Sequence, residues 1–254
     1  MGCSVLILAK NESAHLAECM KSCSSFATEF VVIDDFSTDD TKAIAESFPN
    51  TQVFQRALNN DFGTQQTFGL TQCKEPWIFM IDADERCTLE LAREIAEIVK
   101  GKPDTAYWVM RINHFAQKEM RHGTLSPDRV LRLVPKEGTT MQGLVHQKTC
   151  VTVPQKRCKA TLKHYTFQDW SQYERKMMLY STVAAQKYFE EGKPSHFVVD
   201  VLFRPLVSFL KMYIFKLGFL DGTMGLLLSR QYANYTMAKY IKLAELYRQT
   251  KQGK

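Results

Sequence analysis

Apolar residues in the first hundred positions come in short uninterrupted runs, each closed by polar residues. Ser4-Val5-Leu6-Ile7-Leu8-Ala9, Phe30 to Ile33 and Trp77 to Ile81 are such runs, and Gln52 to Arg56, though more polar, reads as a further strand. A continuous apolar run of this length reads as a strand covered on both faces, whereas alternation would mark a strand with one wet face. Between the runs the spacing turns helical. Helices are predicted from Ala14 to about Ser24 with Ser13 as cap, from Asp39 to Phe48 after Ser37 or Thr38, and from Phe62 to Cys73. Thr88 to Lys100 carries Leu91, Ile95, Ile98 and Val99 on one face, and Gly101-Lys102-Pro103 ends it. Strands alternating with helices predict an α/β fold with a mostly parallel, doubly wound sheet.

After Pro103 the texture changes. Ala106 to Phe115, Val130 to Pro135 and Lys148 to Val153 read as strands, and from Trp170 onward the chain reads as helical. The predicted division is an α/β domain over 1–168, with halves 1–103 and 104–168, followed by a helical, basic region over 169–254. The stretch 206–228 is strongly apolar, yet Lys211, Lys216 and Asp221 interrupt it. It therefore lacks the uncharged run of about 18 residues that a membrane span needs. Asp200, Arg204, Ser208 and Lys211 recur at helical spacing and form a polar stripe among Phe, Leu and Val. Such a helix suits a bilayer interface better than a crossing.

Charge sharpens this picture. The net charge of +6 lies wholly after residue 185, where 11 basic residues face 5 acidic ones. Basic and apolar together favour an anionic membrane surface over nucleic acid as a partner. The alternative is a helical cap with a basic outer face. Seven cysteines make no Cys-x-x-Cys pair, which argues against zinc and thioredoxin-like chemistry. No charged leader precedes the first strand, so a reducing cytosolic setting is expected.

The chemistry concentrates where the apolar runs stop. Val32-Ile33 is followed by Asp34-Asp35, and Ile81 by Asp82-Ala83-Asp84-Glu85. In an open α/β sheet, ligands bind beyond the carboxyl ends of the strands. Carboxylates gathered there repel one another unless a cation or donor groups neutralise them. A divalent ion, Mg²⁺ or Mn²⁺, carrying a diphosphate meets that need, because such an ion takes few protein carboxylates and fills its shell with phosphate oxygens and water. A carboxylate such as Asp35 can also accept the imide N–H of a uracil ring. Isolated Asp-x-Asp is otherwise a common solvated turn, and Asp34-Asp35 a common helix-entry loop. It is the pairing of two acidic strand ends that favours a site.

These segments together resemble family 2 inverting glycosyltransferases of the GT-A fold. The resemblance runs through Lys10-Asn11-Glu12, Val32-Ile33-Asp34-Asp35-Phe36-Ser37-Thr38-Asp39 and Asp82-Ala83-Asp84-Glu85. His122-Gly123-Thr124-Leu125-Ser126-Pro127-Asp128 with Arg129 to Leu133 resembles lipopolysaccharide inner-core β-glucosyltransferases. So do Gly143-Leu144-Val145-His146, His164-Tyr165-Thr166 and Gly218 to Gly222. The resemblance implies a divalent metal on Asp84 and His146, and Asp128 as general base. It implies nucleotide-sugar contacts at Asn11, Glu12, Asp35 on the base, Gln65, Asp82 on the ribose side, and Arg132. The implied reaction moves a hexose, glucose from UDP-glucose, to a heptose of the inner core. A lipid-linked saccharide acceptor would place the protein on the cytoplasmic face of the inner membrane. Departures fall at Gln66-Thr67, where a basic residue and Asn are usual, at Leu125-Ser126 in place of Trp-Tyr, and at Gln147 in place of Glu. Two other readings compete: a receiver-like signalling module with an acidic pocket, and a transferase-like protein that binds nucleotide without catalysis.

Overall fold

The computed structural model describes residues 1–59, 61–142, 148–196 and 198–252. The chain opens with β1 (Cys3–Ala9), α1 (Leu16–Cys23), β2 (Glu29–Asp34), α2 (Thr41–Glu46), β3 (Thr51–Gln55), α3 (Phe62–Gln72) and β4 (Trp77–Asp82). There follow β5 (Glu85–Cys87), α4 (Leu89–Ile98), β6 (Ala106–Phe115), β7 (Lys118–Glu119), β8 (Asp128–Pro135), β9 (Thr139–Gln142), β10 (Lys148–Val151) and β11 (Gln155–Phe167). Helices α5 (Trp170–Glu190), α6 (Arg204–Leu210) and α7 (Gly222–Gln252) complete it.

The main sheet runs in the order β3-β2-β1-β4-β8-β6-β11-β5, with β7 paired to β6. The first four strands are parallel, and β8 joins β4 antiparallel, setting Phe79 against Leu133. Both faces of the parallel part are covered. Val5, Ile7 and Val32 lie in a core shared with Leu16 and Met20 of α1 and Leu91 and Ile95 of α4. Leu6, Val31 and Ile33 pack in a second core with Leu70 of α3. This two-sided burial is why the strands read as unbroken apolar runs. The order also excludes the receiver-like reading, since that doubly wound fold places its first strand between the second and the third.

Contacts group the chain into two compact units. One comprises Met1–Ile112 and Asp128–His164; the other comprises Asn113–Pro127 and Tyr165–Lys254. The 113–127 segment thus groups with the helical region, while Asp128–His164 groups with the parallel strands. Several predicted caps are also corrected. His15 rather than Ser13 precedes α1, and α2 begins only at Thr41, in neither case with a capping side-chain bond. Ser37, one of the expected caps, instead ties loops together, its Oγ accepting from the Asn11 amide, while the backbone amide of Ser13 donates to Asp39.

In the second unit α5 packs on α7 and α6 on α7. The region is helical as expected, but the helices are interrupted between 190 and 222. Val199–Phe203 and Lys211–Phe215 are π-helical turns, and Leu217 is left-handed with φ 57°. The break lets two backbones meet. A Cβ on Gly225 would overlap the Gly218 carbonyl group. Overpacking of this kind typically costs 1–3 kcal/mol. Gly225→Ala is therefore expected to lower the thermal unfolding midpoint, as circular dichroism would record; an unchanged midpoint would mean the two segments separate freely.

Candidate active site

The candidate carboxylates all belong to the first unit. Asp34, the last residue of β2, is buried and acts as a brace. Its oxygens accept from the Ser37 amide at 3.2 and 3.1 Å and from Gln55 Nε2 at 3.1 Å. Asp35 turns outward. Its Oδ2 lies 2.7 Å from Lys10 Nζ, and its Oδ1 accepts from the Leu58 amide at 3.0 Å. Burial pushes this carboxyl upward, but the lysine and the amide outweigh it and hold Asp35 below the usual carboxylate range. Asn11 adopts φ 53°, a region Asn tolerates, and its Oδ1 accepts from the Thr38 amide at 2.8 Å. Asn11 and Glu12, whose amide donates to Thr41 Oγ1 at 2.7 Å, thus knit the exit loops of β1 and β2 together.

Asp82 and Glu85 share one guanidinium. Arg132 Nη2 stands 2.5 Å from Asp82 Oδ2 and 2.5 Å from Glu85 Oε1. Arg111 extends the cluster. Its Nη1 is 3.2 Å from Glu85, while its Nε and Nη2 grip both oxygens of Asp128 at 3.0 and 2.8 Å. The two carboxyls on Arg132 diverge. Burial drives both upward; it prevails at Glu85, whereas at Asp82 the attraction of Arg132 prevails and the group is held low. Burial works against the charge on both arginines, but their carboxylate partners more than offset it.

Asp84 points elsewhere. Its Oδ2 lies 3.3 Å from His164 Nε2, on β11. No group of three or more His, Cys, Asp or Glu side chains able to hold a metal occurs among the described residues. A carboxylate and an imidazole this close fit a cation that draws its remaining ligands from phosphate and water. His146, the predicted second ligand, lies outside the described residues.

The structure therefore joins Asp82 and Asp128 in one network and places Asp84 beside His164. Two predicted nucleotide-sugar contacts are committed inward. Arg132 is buried beneath the acids, and Gln65 is buried with its amide engaged by Arg56: Nε2 donates to the Arg56 carbonyl at 2.7 Å, and Arg56 Nη1 bonds Oε1. Arg56 itself remains partly exposed beside Asp34, to whose carbonyl its amide donates at 2.9 Å. Sequence reasoning missed Glu85, Arg111, Arg56 and Lys10 as participants. It noticed the His164-Tyr165-Thr166 segment without giving His164 a role. Arginine pairing partners leave no sequence signal, because register across β6 and β8 decides them.

The Glycosyl transferase family 2 model matches residues 4–178. The lipopolysaccharide core biosynthesis glycosyltransferase LpsC of Rhizobium meliloti (strain 1021) is 29% identical over 248 residues, covering 93% of this chain and 90% of its own. The uncharacterized glycosyltransferase RP128 of Rickettsia prowazekii (strain Madrid E) is 28% identical, over 96% of this chain and 86% of its own. Among solved structures, S. aureus TarS 1-349 superposes with a TM-score of 0.45 at 17% identity, covering 98% of this chain and 92% of that one. With four parallel strands, antiparallel additions and acidic strand ends, the α/β fold is of the GT-A kind, and the chain belongs to glycosyl transferase family 2.

Proposed function

We propose that this glycosyltransferase moves a hexose, glucose from UDP-glucose being the first candidate, onto a heptose of the lipopolysaccharide inner core, with inversion at the anomeric carbon. The observation that carries the reading is the Asp128–Arg111–Glu85/Asp82 chain of ion pairs. It ties an acceptor-side carboxylate to the strand end where a nucleotide-sugar would lie. Similarity to LpsC supports the acceptor class.

The chain's residues divide the work. Asp35 accepts the imide N–H of the base, and Asp82 takes ribose hydroxyls on the side facing away from Arg132. Asp128 removes the proton of the acceptor hydroxyl as its oxygen attacks the anomeric carbon. The bond to the diphosphate breaks on the opposite face, and its electron pair leaves with UDP. Asp84 and His164 would hold a divalent cation, which supplies charge stabilisation to the departing diphosphate. Arg56 offers a cation on the donor side, where α3 carries Gln66 and Thr67 in place of the basic residue and Asn. A lipid-linked acceptor calls for an anionic membrane surface as partner and a peripheral position on the cytoplasmic face of the inner membrane.

The test is hydrolysis and transfer across a panel of UDP- and GDP-sugars, with heptose-terminated truncated lipopolysaccharide as acceptor. UDP-glucose is expected to be consumed fastest, with release accelerated by the acceptor. Nucleotide binding without turnover of any donor would instead favour the non-catalytic alternative.

A further inference from the structure

Only part of the polar stripe of the 198–216 segment faces inward: Arg204 and Lys211 are exposed, whereas Asp200 is buried and Ser208 half-buried. Asp200 is fully buried, accepting from the His196 amide at 2.6 Å and from Arg204 Nε at 2.5 Å. Ser208 accepts from Thr236 of α7 at 3.1 Å, Pro205 and Met212 are buried, and Arg204 lies over the Tyr240 ring at 5.0 Å. The packed side of the segment is the one that carries Asp200, Pro205, Ser208 and Met212. Its opposite is apolar and open: Leu202, Phe203, Leu206, Val207, Leu210 and Ile214 recur at helical spacing and all are exposed. At the turn that follows, Phe215 is 79% exposed, and Leu220 is exposed beyond it. Soluble proteins seldom display an apolar tract of this extent without a partner.

We infer that this outward face inserts into the interfacial layer of an anionic bilayer, as a monotopic anchor rather than a span. Among the described residues no helix is long and apolar enough to cross a membrane. Charge selects the occupant. Lys211 and Lys216 are exposed within the segment, and its one acidic residue, Asp200, is buried and paired with Arg204. An anionic lipid surface complements that charge, whereas a second copy of the chain would set lysines against lysines. Apolar side chains enter the acyl boundary while the ammonium groups reach the headgroups. This deepens the reading of a lipid-linked acceptor and rests on it only for its purpose; the anchoring itself is measurable without substrate.

The experiment uses the full chain with vesicles of phosphatidylcholine alone or mixed with phosphatidylglycerol. Wild-type protein is expected to pellet with the mixed vesicles. Leu206→Ser and Val207→Ser are each expected to lower the partition coefficient roughly tenfold, as loss of a largely buried aliphatic side chain implies. Phe215→Trp provides a depth probe: relative to wild type, its added emission should shift to the blue on binding. Raising salt should weaken binding without abolishing it, since insertion is apolar and only steering is electrostatic. Wild-type protein that stays in the supernatant at low salt overturns the inference. So does a Phe215→Trp variant whose emission ignores the vesicles, or a solution dimer that Leu206→Ser converts to monomer. Donor turnover on a short water-soluble acceptor, measured without vesicles, is expected to survive these substitutions. Its absence in the wild type would count against the proposed reaction alone, leaving the anchor intact.

Discussion

Asp84→Ala is expected to abolish divalent-metal-dependent binding of UDP and, with it, sugar transfer. Asp84 follows the apolar strand β4 and stands apart from the arginine cluster that neutralises Asp82 and Glu85. Its ionic partner is His164 at 3.3 Å, an imidazole that in its neutral form can itself ligate a metal. A hard cation bound by few protein oxygens loses most of its hold when one is removed. His164→Ala should weaken the same metal dependence while leaving the ion pairs of Arg111 and Arg132 in place. Calorimetric titration of UDP with and without Mn²⁺ measures both effects. Undiminished affinity of Asp84→Ala for UDP in the presence of Mn²⁺ would remove Asp84 from the metal site.

The parallel half of the fold was legible because burial on both faces leaves a plain trace. Val31 to Ile33 and Ile78 to Ile81 have no polar residue, and both faces of their strands are covered in the structure. The same logic pointed to the acidic strand ends Asp34-Asp35 and Asp82-Ala83-Asp84, but it did not show that Asp34, directly after its run, is buried as a brace. The antiparallel additions were harder. β11 alternates Lys and Arg with small or apolar residues over Gln155–Phe167, and its first half faces solvent on one side, so no continuous run announces it. β5 is three residues long and carries Arg86 between buried Glu85 and Cys87; nothing in so short a segment distinguishes it from a turn.

The helical region shows a different limit. Periodicity grouped Asp200, Arg204, Ser208 and Lys211 on one face, but it could not say which of them turn toward the rest of the protein: Asp200 is buried, whereas Lys211 is exposed. Polar residues ordinarily point outward. Here Asp200 satisfies the His196 amide and Arg204 while Ser208 bonds Thr236, so these two polar side chains turn inward at little cost, Arg204 and Lys211 stay exposed, and the apolar face is left outside. One of these partners, Thr236 on α7, is distant in sequence, and periodicity within the segment does not announce it. Arg111 and Arg132 illustrate the point in the site, for their partners lie on β4, β5 and β8, and only the folded register brings them together.

Asp128→Asn is expected to cut turnover by roughly 10²–10⁴ while leaving UDP affinity nearly intact, the loss expected when a general base is removed. The amide preserves shape but cannot take up the proton of the acceptor hydroxyl. Structural damage does not account for so large a change: Asp128 is half exposed, and an exposed ion pair contributes about 0–1 kcal/mol to stability. Arg111 also retains Glu85 at 3.2 Å when Asp128 loses its charge, so the cluster beneath keeps its neutralisation. Arg111→Lys separates orientation from proton transfer. Lysine keeps the positive charge but not the two-pronged grip on Asp128 at 3.0 and 2.8 Å, so the carboxylate survives and its aim is lost. A positioning role predicts a fall in kcat with little change in KM for the donor, smaller than the fall in Asp128→Asn. Steady-state kinetics with UDP titration decide the matter. If UDP affinity falls as steeply as the rate in Asp128→Asn, Asp128 is a donor ligand, and the proton must leave through another group.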